Sequence, residues 1–198
     1  MHISIVTLDQ FNELDSFIAL GLLGRVQGEQ WKISIASPTD TVTSMNGVEI
    51  RRHIPLEQVI ETDAVILGSG LQTRAFIEDK TQLSRLALDP NRQIIGSQCS
   101  GALILLALGV LSDQPVCTDL TTRPYAERFG NSIMEQAFFA RSNIASAGGC
   151  LASQYLAFWM IARLKGVQQA CEALHYMAPV GEKEQWIEQA MQVVSPYL

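Results

Sequence analysis

A chain of 198 residues, 47% hydrophobic and 17% charged, is long and apolar enough to bury a sizeable core, which excludes a disordered or fibrous protein. With 14 basic against 20 acidic residues the net charge is −6, and the absence of any basic run argues against nucleic acid as a main partner. The start, MHISIVTLDQ, shows no basic leader and no cleavage site. ALILLALGVL is too short to be a membrane span, and IASAGGCLASQYLAFWMIARL carries Ser146, Ser153, Gln154 and Arg163, so both read as buried helices. The expectation is one domain over residues 1–198 of a cytoplasmic protein with no membrane partner. Cys99, Cys117, Cys150 and Cys171 are widely spaced, with no C-x-x-C pair and no histidines at ligand spacing. Free thiols in a reducing compartment, and no metal, are expected.

In chain order, HISIVTL (2–8) is a short run rich in β-branched residues and predicts a buried strand. Asn12 is a candidate N-cap for a helix over 13–26 that places Leu14, Phe17, Ile18 and Leu22 on one face. WKISIAS (31–37) predicts a second strand. TVTSMNGVEIRR holds Asn46-Gly47 between two alternating runs, a strong hairpin signal. AVILGSG (64–70) reads as a buried strand ending in a glycine-rich loop, and 73–88 as a helix stopping before Asp89-Pro90. QIIGSQ (93–98) is a strand, followed by a helix from Cys99 to about Leu108. TTRPYAERFG predicts a short helix, IMEQAFFA a strand, 146–164 a long helix, and EKEQWIEQAMQVV an amphipathic tail.

Strands alternating with helices, several apolar on both faces, imply an α/β fold: a doubly wound, mostly parallel sheet with helices on both faces and a small β-hairpin inserted near 40–53. In such folds the site lies beyond the carboxyl ends of the strands, which selects the loops 9–15, 68–72 and 98–101.

In the third loop, Ser97-Gln98-Cys99-Ser100-Gly101 has the form of a nucleophile elbow with cysteine in place of serine. So sharp a turn leaves room only for small neighbours, which accounts for Gly96, Ser97, Gly101 and Ala102. It also puts the sulfur at the head of a helix, where backbone amides and the helix dipole favour thiolate. The second loop, Gly68-Ser69-Gly70, could offer amides to a developing anion beside the backbone of Ser100. In the first loop Asp15 could point back toward the strand ends, with Glu13 as the competing carboxylate. The three histidines, His2, His53 and His175, have no evident route to Cys99, which leaves Cys-His catalysis without a base.

NELDSF, VILGSG, IIGSQCSGALILLALGVL, LTTRPYAERF and IASAGGCLASQYLAFWMIARLKG, in this order, resemble the ThiJ/PfpI family over about residues 2–180. The resemblance implies a flavodoxin-like fold, a homodimer, a reactive cysteine at Cys99, an acid at Asp15 hydrogen-bonded to its sulfur, and oxyanion amides at Gly70 and Ser100. The ELD sequence around Asp15 is similar to the motif of isocyanide hydratases, and Ser100 in place of histidine disfavours a peptidase. ALHYMAP supplies no late His-x-Glu pair, so a glutamine amidotransferase is disfavoured too. Arg123 stands where many relatives have histidine. It could bind an anionic ligand or pair with Glu127 on its own helix. No stretch of this sequence reads as the paired helix-turn-helix module of AraC-type regulators, so direct DNA binding is not expected. The functional expectation is a cofactor-free, cysteine-dependent enzyme acting on a small electrophilic molecule, similar to isocyanide hydratases. The alternatives are a redox or stress protein sensing through oxidation of Cys99 and a non-catalytic small-molecule binder.

Overall fold

The strand predicted at the start of the chain forms as β1 (His2–Val6) and is buried along almost its whole length. The computed structural model describes residues 1–111 and 113–198. Asn12 caps α1 (Glu13–Leu23), its side-chain oxygen accepting from the Leu14 amide at 3.0 Å. After β2 (Lys32–Ser37), the hairpin β3 (Thr41–Thr43) and β4 (Glu49–Arg51) closes around Asn46-Gly47. Then come β5 (Ile54–Pro55), β6 (Ala64–Leu67), α2 (Thr73–Glu78), α3 (Lys80–Leu83) and β7 (Ile94–Gln98). A single 3₁₀ turn, Cys99–Gly101, leads from β7 into α4 (Ala102–Ala107). The rest of the chain is β8 (Val116–Cys117), α5 (Arg123–Ala126), β9 (Ile133–Met134), β10 (Phe138–Arg141), β11 (Ile144–Ala147), α6 (Ser153–Lys165), α7 (Val167–Met177) and α8 (Lys183–Val194). Among the described residues no helix is long and apolar enough to cross a membrane.

The main sheet has seven strands in the order β10-β11-β7-β6-β1-β2-β5, parallel throughout except for the β10–β11 pair. Side chains alternate between two cores. Ile3, Ile5, Ala64 and Ile66 join α1 and α6 on one face, while Val65, Leu67 and Ile95 join α4 on the other. Both faces are therefore covered, and the strands read as continuous apolar runs rather than alternating ones. The chain leaves β1 toward β2 on one side and returns to β6 on the other, so the switch point lies between β1 and β6.

Three expected elements differ from what forms. Ser146 and Ala147, read as the start of the long helix, instead belong to β11 (Ile144–Ala147), wedged between β7 and β10, with Ala145 opposite Gly96 and Ser146 opposite Ser97. These small residues have little strand preference of their own, and their place in the sheet overrides it. IMEQAFFA is not one strand but two, β9 pairing with β8 and β10 with β11. The helix expected over 73–88 breaks at Asp79, whose carboxylate accepts from the Thr81 and Gln82 amides and restarts the chain as α3.

Gly101 is fixed by the closeness of β7 to β6. A Cβ there would lie 2.2 Å from the Leu67 carbonyl oxygen and 2.9 Å from that of Gly68. Gly101→Ala is expected to cost about 3 kcal/mol or more in urea unfolding, since backbone rather than a flexible side chain must move.

Candidate functional site

The elbow inferred from the sequence is present in the backbone. Cys99 has φ 46°, a left-handed conformation that a non-glycine residue holds only when its surroundings enforce it. Those surroundings are visible. The Thr118 hydroxyl donates to the Cys99 carbonyl at 2.8 Å, and Gly101 is pressed against the end of β6. Gln98 reaches across to the Gly149 carbonyl at 2.8 Å, and the same amide nitrogen stands 3.5 Å from the Cys99 sulfur.

Asp15, one turn into α1, is completely buried. One carboxylate oxygen accepts a short hydrogen bond from the Ser69 hydroxyl, and the Ser153 hydroxyl donates to the Asp15 carbonyl at 3.0 Å. The other carboxylate oxygen, Oδ1, has no hydrogen-bond partner among the described residues. Ligand atoms of Asp15, Cys99 and Cys150 lie within 4.8 Å of one another. One carboxylate and two thiols are also a donor set able to hold a soft divalent ion such as zinc, with a position left open.

Burial raises the Asp15 carboxyl above its ordinary value, against the pull of the Ser69 hydroxyl. Burial pushes the Cys99 thiol up as well, and the neighbouring Asp15 adds to that. The helix after Cys99 is only six residues long. Each shift disfavours the charged form of its own group, so acid and thiol compete for one negative charge, in place of the free thiolate the elbow motif suggests.

The sulfur opens into a cavity of about 370 Å³ whose wall includes Asn12, Gly70, Arg74, Ser100, Asp119 and Cys150. Gly70 sits where a Cβ would lie 2.6 Å from the Gln10 carbonyl oxygen. Its amide donates to Ser100 Oγ at 3.1 Å, and that hydroxyl also lies 3.0 Å from Thr73 Oγ1. Gly70 and Ser100 are thus brought together at the cavity, with the Gly70 amide turned to the Ser100 side chain. Arg123 is not part of this wall. It pairs with Glu127 at 2.9 Å and Glu135 at 3.6 Å and borders a separate hollow. The cation at the cavity is instead Arg74, stacked 4.4 Å from the Tyr125 ring centroid. Glu13 binds the hairpin through Ser44 and Asn46. His2 and His53 are engaged with Ser34 and the Ile35 amide.

Sequence reasoning missed Arg74, Asp119 and the closeness of Cys150. The signals were faint. Arg74 stands one turn beyond the glycine-rich loop, and Gly148-Gly149 before Cys150 marks a second tight strand-to-helix turn at the same sheet edge. Asn12, read only as a cap, also donates its amide to Cys150 Sγ at 3.2 Å.

A mostly parallel flavodoxin-like sheet with a cysteine elbow at its carboxyl edge defines the class. Residues 1–163 match the DJ-1/PfpI family, and the chain belongs to that family. A ThiJ/PfpI family protein from Pseudomonas syringae has a similar structure, with a TM-score of 0.79 and 22% identity over 98% of this chain and 87% of that one. Schizosaccharomyces pombe DJ-1 aligns with a TM-score of 0.76 and 12% identity over 90% of this chain and 100% of its own. An AraC family transcriptional regulator from Pseudomonas putida aligns at 0.73 and 17% identity, over 89% and 99% of the two chains. Among proteins of curated function none matches this sequence.

Because the folded-state pKa of Asp15 is raised, its contribution to stability is complete below the ordinary carboxylate value of 3.8 and is lost as pH rises through the folded value. Asp15→Asn keeps the partner for Ser69 and removes that loss. The variant is expected to melt a few degrees higher than wild type at pH 8, with the gap shrinking toward pH 4, by calorimetry across pH. A gap independent of pH would contradict an Asp15 carboxyl raised by burial.

Proposed function

We propose that the protein is a cysteine-dependent enzyme of the isocyanide hydratase type, with Cys99 as nucleophile and Asp15 as its acid and base. The observation that supports this most is the fully buried Asp15 carboxyl, which has one oxygen without a hydrogen-bond partner among the described residues and lies within 4.8 Å of the Cys99 sulfur. A buried carboxyl with one oxygen unsatisfied is costly to maintain, and a proton passed between it and the sulfur gives it a use. The geometry suits an electrophilic carbon. The sulfur adds to the terminal carbon of an isocyanide, and the thiol proton is delivered through Asp15 to that carbon, giving a thioimidate. Water then adds to the same carbon with the nitrogen taking a proton, and collapse of the adduct releases an N-formamide and returns Cys99 as thiol. One water is consumed, and no redox change occurs. A cavity of about 370 Å³ accepts a small substrate, and Arg74 with Asp119 offers polar contacts at its wall.

The test is formamide production from an aryl isocyanide, followed by chromatography. Cys99→Ala is expected to abolish turnover, and Asp15→Asn to lower kcat by about 10²–10⁴-fold while leaving the protein folded. Full turnover in Cys99→Ala would overturn the assignment.

A further inference from the structure

We propose that Cys150 is a resolving cysteine for Cys99, so that a hydroperoxide converts the pair to a reversible Cys99–Cys150 disulfide that closes the site. The inference shares the Cys99 sulfur with the hydratase reading but does not depend on turnover. Four observations carry it. The two sulfurs lie within 4.8 Å of each other, with the Asp15 carboxylate in the same cluster. Cys150 is only partly buried and lines the cavity, so peroxide that reaches Cys99 passes beside it. The Asn12 amide donates to Cys150 Sγ at 3.2 Å, which favours negative charge on that sulfur as it attacks. Cys150 opens a 3₁₀ turn just after Gly149, whose φ of 88° is open to glycine without strain. This gives the turn a pivot for closing the gap to the ~2.05 Å of a disulfide. Neither Cys117 nor Cys171 belongs to the cavity or the cluster.

The chemistry balances in two steps. Cys99 sulfur attacks the peroxide O–O bond, losing its proton and releasing an alcohol or water, and becomes a sulfenic acid. Cys150 sulfur then attacks the sulfenyl sulfur, the hydroxyl leaves as water with a proton passed through Asp15, and the S–S bond forms. The two electrons lost by the thiol pair reduce the peroxide. Without a second thiol the sulfenate would proceed to sulfinate, which thiols do not reverse.

The test is to treat reduced protein with hydrogen peroxide, without substrate, and to read intact mass and non-reduced peptide maps. Wild type is expected to lose about 2 Da, to yield a Cys99–Cys150 cross-linked peptide, and to regain its mass with dithiothreitol. Cys150→Ser and Cys150→Ala are expected instead to gain about 32 Da at Cys99, unaffected by dithiothreitol. Accumulation of Cys99 sulfinate in wild type with no cross-link would overturn the proposal. So would a cross-link through Cys117 or Cys171, or a Cys99 left unmodified by excess peroxide. Formamide production is not read in this experiment, so its outcome stands apart from that of the hydratase assignment.

Discussion

Where β7 gives way to its helix, the main chain at Gly101 lies so close to the end of β6 that a single methyl group would meet the Leu67 carbonyl at 2.2 Å. That approach obliges the turn to be tight, and the tight turn holds Cys99 at φ 46°. The position of the sulfur follows from it, because a relaxed strand-to-helix connection would carry the side chain away from the switch point between β1 and β6. The Thr118 and Gln98 hydrogen bonds then lock the turn from the outer side of the sheet.

Charge at this point runs against simple expectation. A cysteine at a helix head ordinarily gains acidity, yet here burial and the Asp15 carboxylate both oppose ionisation. Ser69 partly offsets the burial of Asp15, and one carboxylate oxygen is left over. Two groups that would each be an anion when deprotonated therefore share a small, poorly solvated space. Proton movement between acid and sulfur is therefore the natural first event at the site, whether the electrophile is a carbon or a peroxide oxygen.

Cys150 and Arg74 give the cavity an asymmetry. On one side a second thiol, held by Asn12, faces the first. On another, a guanidinium rests on Tyr125. The hairpin turn adds a rim through Met45, anchored by Glu13 to Ser44 and Asn46. Glu13, which competed with Asp15 on sequence grounds, thus supports the wall, whereas Asp15 meets the sulfur.

The parallel sheet was legible because β1, β6 and β7 are apolar on both faces, and burial between two helical layers requires that pattern locally. The elbow was legible because its steric demand falls on adjacent residues, and little besides so tight a turn calls for glycine and serine on both sides of a cysteine. By contrast, β11 was hidden: Ile144–Ala147 becomes a strand only because β7 and β10 bracket it. The choice between Arg123 and Arg74 was hidden as well. Both are arginines near a helix start, and only the packing of α5 turns one toward Glu127 and Glu135 while α2 carries the other to the cavity. The sequence by itself determined the layers, the turn and the cysteine within it, since these rest on short-range sterics and hydrophobic periodicity. Only the tertiary structure decided the direction in which Asp15 and Cys99 are shifted and the approach of Cys150. Those depend on desolvation and on contacts among three residues that stand far apart in the chain, well beyond the reach of any local pattern.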